Sequence, residues 1–275
     1  MELYIAWQLD PILIGGIVAL AFMYFLATGP LRERIAPGEP FPVRNAIFFY
    51  SAMIIFYLAE GSPLHDLAER YSLLAHMFQH NIVSFVVAPL IIAGLPVWLA
   101  RWLFTGPRVL PVARFLVHPI PAFFIFSIGY SMWHLPVVYD AALRNSALHH
   151  FEHVVFLFTS TVVWWPIMSR VPELPTPGRL GQLAFLFLLP IAQMVAFSTI
   201  TFGDHVLYPT YALAPTWLFA DQLADQTAAG ALMKLTGFVA FGVPFIVIFF
   251  RWYREQTGRD LNHRPLPVQT SEVNP

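Results

Sequence analysis

The sequence predicts an all-α integral membrane protein, a bundle of about seven transmembrane helices. Hydrophobic residues make up 57% of the 275 positions and charged residues only 11%, whereas soluble domains carry roughly 25% charged residues. Apolar stretches recur from Pro11 almost to Arg251, which leaves no room for a separate soluble domain. We therefore expect a single membrane domain, residues 1–258, followed by a disordered cytoplasmic tail, residues 259–275.

The spans follow one another with short connections. The first apolar stretch lacks a basic leading region and a small-residue cleavage site, so we expect it to remain as a helix and not to be removed as a signal peptide. The second span is short, whereas the third and seventh are long enough to tilt. Several spans contain proline, which neighbouring helices of a bundle can accommodate. The predicted spans are 11–28, 45–60, 72–100, 117–134, 148–169, 180–202 and 224–250.

Arginine distribution predicts the orientation of the bundle. The connections after the first, third and fifth spans carry three, three and two arginines, and four follow the seventh span. The connections after the second and fourth spans carry one each, and the sixth connection carries none. Because basic residues concentrate on the cytoplasmic side, we expect the N-terminus outside and the C-terminus in the cytoplasm.

The histidines gather on the predicted outer side. His76 and His80 are four residues apart on the third span, so they lie on one helical face about 6 Å apart along the axis. His149 and His153 repeat this spacing at the start of the fifth span, and His134 ends the fourth span on the same side. Eight of the ten histidines map outside: His65, His76, His80, His134, His149, His150, His153 and His205.

This layer of histidines predicts a metal site. Polar groups are costly inside a membrane, and imidazole nitrogens suit copper, zinc or iron better than calcium or magnesium. There is no cysteine, which excludes disulfides, cysteine zinc sites and a thiolate copper relay. Proton handling and structural hydrogen bonding are the alternatives. The candidate ligands are His76, His80, His134, His149, His153 and Asp225.

The residues around these ligands have both structural and chemical interpretations. Glu152 would orient a ligand or bind the metal itself. Asp225 begins the last span, where an acid also stabilises the helix dipole. Thioethers of Met77 and Met132 would favour Cu(I), although apolar filling is the simpler role. The remaining outer histidines, His65, His150 and His205, are interpreted as bystanders, and Asp66 and Glu69 as solvating charges of the surface.

Several short motifs resemble the CtaG family of cytochrome c oxidase assembly proteins, in the same order along the chain. The resemblance covers about residues 72–237. The motifs are HMFQH at 76–80, APL at 88–90, WHLP at 133–136, HHFEH at 149–153, WWP at 164–166, YPTY at 208–211, and DQ at 225–226 followed by AG at 229–230.

This resemblance implies a non-enzymatic protein of the bacterial plasma membrane that helps to mature the copper centres of a haem–copper oxidase. The expected partners are oxidase subunits and an extracytoplasmic copper donor, besides the lipid bilayer, with no nucleic acid. The family pattern also points to Glu152 together with the six candidate ligands. Copper is the expected metal, with zinc or haem as alternatives.

Other functions compete with this interpretation. A membrane hydrolase would use three protein ligands to hold zinc, with Glu152 or Asp225 as the base. Histidines on facing helices could also be the two axial ligands of a haem. Lys234 on the seventh span suggests a retinal protein, but the third span has no carboxylate to serve as counter-ion.

Overall fold

The computed structural model describes residues 5–262 and contains only helices, with no strand in that range. The predicted all-α class is confirmed. Six helical segments are long and apolar enough to cross a membrane, and a bent pair makes up to seven. The helices are α1 (Pro11–Thr28), α2 (Arg32–Ile35), α3 (Val43–Glu60), α4 (Pro63–Arg70), α5 (Leu73–Ile82), α6 (Ala88–Gly94), α7 (Val97–Phe104), α8 (Leu110–Leu116), α9 (Pro119–Trp133), α10 (Pro136–Arg144), α11 (Ser146–Met168), α12 (Arg179–Ala192), α13 (Met194–Phe202), α14 (Pro209–Ala212) and α15 (Gln222–Asn262).

The predicted third span is divided in the structure. Helices α5 and α6 form one continuous segment, joined by a π-helical turn at Val83–Val87. This segment ends at Gly94, and α7 begins separately at Val97. Leu95 has extended backbone angles because it precedes Pro96, whose ring disfavours the helical region for the residue before it. The predicted single span 72–100 is therefore too long at its end.

Breaks also occur at the start of the fourth predicted span and within the sixth. The α8 and α9 helices meet at 65° on either side of residues 117–118, and α12 ends at Ala192, two residues after Pro190. Helix α15 instead continues to Asn262, beyond the predicted end at 250. Residues 263–275, most of the predicted tail, and His263 lie outside the described residues.

The bundle core is formed around α5, α11 and α15. Helix α15 packs against α5, α12 and α13, while α11 packs against α6 and α9. Helix α1 contacts mainly α3 and leaves most of its apolar side chains exposed, as expected of a surface that faces lipid. Lys234 of α15 lies over the ring of Phe197, with Nζ 4.7 Å from the ring centroid. That cation–π contact accommodates its charge within the apolar bundle.

Candidate metal centre

Two histidine pairs face each other across α5 and α11. His76 and His80 lie one turn apart on α5, with their Nε2 atoms 2.9 Å apart. On α11, the Nε2 atoms of His149 and His153 are 2.8 Å apart. All four residues are at least nine-tenths buried. At such separations the two nitrogens of a pair can share one proton or lie next to one metal ion.

The pairs converge into one cluster. The ring centroid of His80 lies 5.4 Å from that of His153, and the ring centroid of His76 lies 6.1 Å from that of His149. Tyr139 packs on His76 at a centroid distance of 4.9 Å. The structure therefore brings together four of the six residues that the sequence predicted as ligands.

Two buried glutamates lie among these histidines. Glu152 places Oε1 3.9 Å from His80 Nε2 and Oε2 3.6 Å from His149 Nδ1. Glu60, at the end of α3, lies 3.0 Å from His153 Nδ1 and accepts a hydrogen bond from Gln79. Buried carboxylates need compensating positive charge or hydrogen bonds. Here histidines and one amide are the groups that surround them.

His65 and Glu69, which the sequence analysis set aside, belong to the cluster. Glu69 Oε1 lies 2.5 Å from His149 Nε2 and 2.8 Å from His65 Nε2. Burial by itself would raise the pKa of Glu69. Hydrogen bonds with His149 and His65 lower the pKa by a larger amount, so it lies well below the usual range. The interpretation of His65 as a bystander and of Glu69 as a solvating surface charge does not match this arrangement. The signal was the four-residue spacing of His65 and Glu69, which aligns them on one face of α4.

His134 lies beside the cluster and not within its close contacts. Its Nδ1 is 2.6 Å from the carbonyl oxygen of Tyr130, and its ring packs on the Tyr130 ring. Phe156 lies between, with ring centroids 6.4 Å from His134 and 4.3 Å from His80. Its role as a ligand stays a prediction.

Both carboxylate oxygens of Asp225 accept hydrogen bonds from the start of α5. Oδ1 accepts a hydrogen bond from Ser72 Oγ at 2.7 Å, and Oδ2 accepts one from Leu74 N at 3.1 Å. These bonds satisfy the start of α5, the helix that carries His76 and His80. The carboxylate thus positions the histidines by holding the N-terminal end of α5. Direct metal binding by Asp225 stays a prediction.

The two methionines lie outside the contacts of the cluster. Met77 is fully buried in the main apolar core, and Met132 is 40% exposed on the outer surface of α9. Both positions fit apolar filling.

Two groups of three side chains have ligand atoms close enough to share an ion. The cavity-side group consists of His65, Glu69 and His149, and the buried group of His76, His80 and Glu152. Within each group the ligand atoms all lie within 4.8 Å of one another.

The chemistry of the buried group fits a transition metal. Glu152 Oε1 is buried without a hydrogen-bond partner and lies 3.9 Å from His80 Nε2, which is costly unless another group binds there. Nitrogen and carboxylate donors suit copper and zinc.

A cavity of about 770 Å³ opens onto one side of the cluster. Glu60, His65, Glu69, His149 and His153 line its polar end, and apolar side chains of α1 and α11 form its walls. The three residues of the buried group do not line it.

The remaining motif residues, Tyr208, Tyr211 and Gln226, make hydrogen bonds that hold the connection between α13 and α15 in place. Tyr208 donates a hydrogen bond to the carbonyl oxygen of His134, and Tyr211 donates one to that of Ala68. Gln226 accepts from Leu207 N and donates to the carbonyl oxygen of His205. These bonds fix the connection between α13 and α15.

Comparison with known proteins gives one family match. The model of the cytochrome c oxidase caa3 assembly factor family (Caa3_CtaG) matches residues 22–255. Two uncharacterized proteins, from Mycobacterium bovis and Mycobacterium tuberculosis, are each 26% identical to this chain over 273 residues. The alignment covers 90% of this chain but 40% of theirs, so the chain spans about two fifths of the length of these relatives. No solved structure matches the chain significantly.

Proposed function

We propose that this protein, which belongs to the family of cytochrome c oxidase caa3 assembly factors, binds copper in its histidine cluster and supports delivery of that copper to the oxidase. The observation that carries the proposal is the buried group, in which the Nε2 atoms of His76 and His80 lie 2.9 Å apart and Glu152 Oε1, which has no hydrogen-bond partner, lies 3.9 Å from His80 Nε2. Copper is the cargo and not a resident cofactor. The protein then acts without catalysing a reaction.

The chain's own residues supply capture, neutralisation and positioning. His76, His80, His149 and His153 offer nitrogen ligands, and Glu152 offers an oxygen ligand as well as negative charge. Asp225 and Ser72 hold the start of α5, so that the first histidine pair keeps its place opposite the second. Rigid helices thus set the ligand spacing before the ion arrives.

The location that we propose is the bacterial plasma membrane, with the cluster toward the outer side. The arginine distribution supports this orientation. The partners would be an oxidase subunit that receives copper and an extracytoplasmic donor that supplies it. Both exchanges would take place on this outer side.

Elemental analysis of the full chain, purified in mild detergent, tests the proposal. Wild-type protein should contain copper, and the double variant His76→Ala/His80→Ala should lose the copper of the buried group, because the remaining histidines on other helices cannot close around the gap. The surface variant His205→Ala is the matched control, since the His205 side chain is exposed and pairs with Asp204, away from both histidine pairs. Both variants should keep their helix content.

Activity in cells provides the second measurement. At limiting copper, cells that carry the double variant should make normal amounts of oxidase polypeptide with little oxidase activity, and excess copper should restore part of it. Full oxidase activity of the double variant at limiting copper would overturn delivery through this site.

A zinc hydrolase is the second candidate function. Two histidines and one glutamate, the composition of the buried group, are the ligands of several catalytic zinc sites. Zinc instead of copper in the purified protein, together with hydrolysis that is lost in the double variant, would favour it.

A further inference from the structure

We propose that the cluster holds two ions, and that the cavity-side group is a separate site through which copper reaches the buried group. This inference rests on the proposed copper function. It assigns ligand roles to His65 and Glu69, and it gives the cluster a direction of transfer.

The two groups can be filled at the same time because they share no residue. In the cavity-side group, Glu69 Oε1 lies 2.8 Å from His65 Nε2 and 2.5 Å from His149 Nε2. The buried group has its own three ligand atoms on His76, His80 and Glu152. Each group therefore has three ligand atoms of its own.

The charges of the cluster favour more than one cation. Among the described residues, Glu60, Glu69 and Glu152 make ion pairs only with histidines. The nearby arginines are engaged elsewhere, since Arg70 pairs with Asp66 and Arg144 with Asp140. Three carboxylates in one largely buried space need positive charge. A single monovalent ion would offset the charge of one of the three carboxylates, whereas two such ions would offset two.

The two groups differ in access. All three residues of the cavity-side group line the cavity, and none of the buried group does. An ion that enters the cavity therefore has direct access to His65, Glu69 and His149 and no direct access to the buried group. The structure gives the order of the two sites from their exposure alone.

His149 connects the two sites with its two ring nitrogens. Its Nε2 faces Glu69, and its Nδ1 lies 3.6 Å from Glu152 Oε2 in the buried group. His153 provides a second step, because its Nε2 is 2.8 Å from His149 Nε2 and its ring centroid is 5.4 Å from that of His80. Ligand atoms thus follow one another at short intervals from the cavity to the buried group.

Copper stoichiometry of the full chain in detergent tests the inference, with Cu(I) under anaerobic conditions as the probe. Wild-type protein should bind two ions per chain, and Glu69→Gln should bind one. His65→Asn should also bind one, which guards against a folding defect specific to either variant. His150→Ala is the control, because His150 neighbours His149 on α11 but pairs with Asp10 outside both groups. It should still bind two.

The outcomes separate this inference from the proposed function. One ion in wild-type protein, retained in Glu69→Gln and lost in His76→Ala/His80→Ala, would overturn the second site and leave copper binding by the buried group intact. Two ions in both Glu69→Gln and His65→Asn would overturn the assignment of the cavity-side ligands. No copper in wild-type protein would overturn the proposed function itself.

Discussion

Replacing Asp225 by Asn distinguishes positioning of the histidines from metal binding. In the structure the carboxylate accepts hydrogen bonds from Ser72 Oγ and from Leu74 N, and the residue is buried. An asparagine keeps one acceptor oxygen but presents an amide N–H₂ group to the other donor. One charge-assisted bond is lost, and such a bond contributes about 1.5–3 kcal/mol. We expect a loss of about 2 kcal/mol in the free energy of unfolding, in the same range as loss of a helix cap.

The assay combines unfolding in detergent with copper stoichiometry. Asp225→Asn should unfold at lower denaturant concentration and still bind the wild-type number of ions, because the histidines keep their nitrogens. Ser72→Ala, which removes the other half of the same contact, should destabilise the protein in the same way. Loss of an ion in Asp225→Asn at unchanged stability would refute the positioning role and identify Asp225 as a ligand.

Three further predictions address orientation and packing. Thr105→Cys should resist an impermeant thiol reagent in intact cells, whereas Leu213→Cys should react; the reverse pattern would contradict the arginine-based orientation. Gly230→Ala should destabilise the protein by about 1–3 kcal/mol in detergent unfolding, because a Cβ there would lie 2.2 Å from a threonine side chain of α13. Gly242→Ala, with open space around it, is the control and should be close to neutral. Trp164→Phe should cost about 1–3 kcal/mol in the same assay, since it leaves a buried carbonyl oxygen without its donor; unchanged stability would show that this bond contributes little.

The sequence predicted the features that depend on local spacing. The apolar stretches identified the spans, and the four-residue intervals predicted which histidines share a helical face. The family motifs predicted membership, which the match over residues 22–255 confirms. Each of these inferences needs only the periodicity of a helix or the order of motifs along the chain.

The features that the sequence analysis missed depend on tertiary contacts. Glu60 and His65 reach the cluster because α3 and α4 fold back against α5, and nothing in their local sequence specifies that approach. Asp225 is 153 residues from its partner Ser72, so its capping of another helix could not be inferred from its own position. The break before Pro96 was accessible from the sequence, because a residue before proline is restricted, but length and hydropathy outweighed that signal.

The π-helical turn at Val83–Val87 determines how the histidine pair of α5 is oriented relative to the pair of α11. Within it, the Ser84 carbonyl oxygen accepts a hydrogen bond from Trp164 Nε1 at 2.8 Å, and Ser84 Oγ accepts one from Ser160 Oγ at 3.0 Å. These bonds tie α11 to the widened turn, about one to two helical turns from the candidate ligands on α5 and about two to four turns from those on α11. A one-residue deletion there would rotate α5 by about 100° relative to α6. His76 and His80 would then no longer face α11. The extra residue in this π-helical turn therefore sets the rotation of α5 about its axis, and with it the direction in which His76 and His80 face α11.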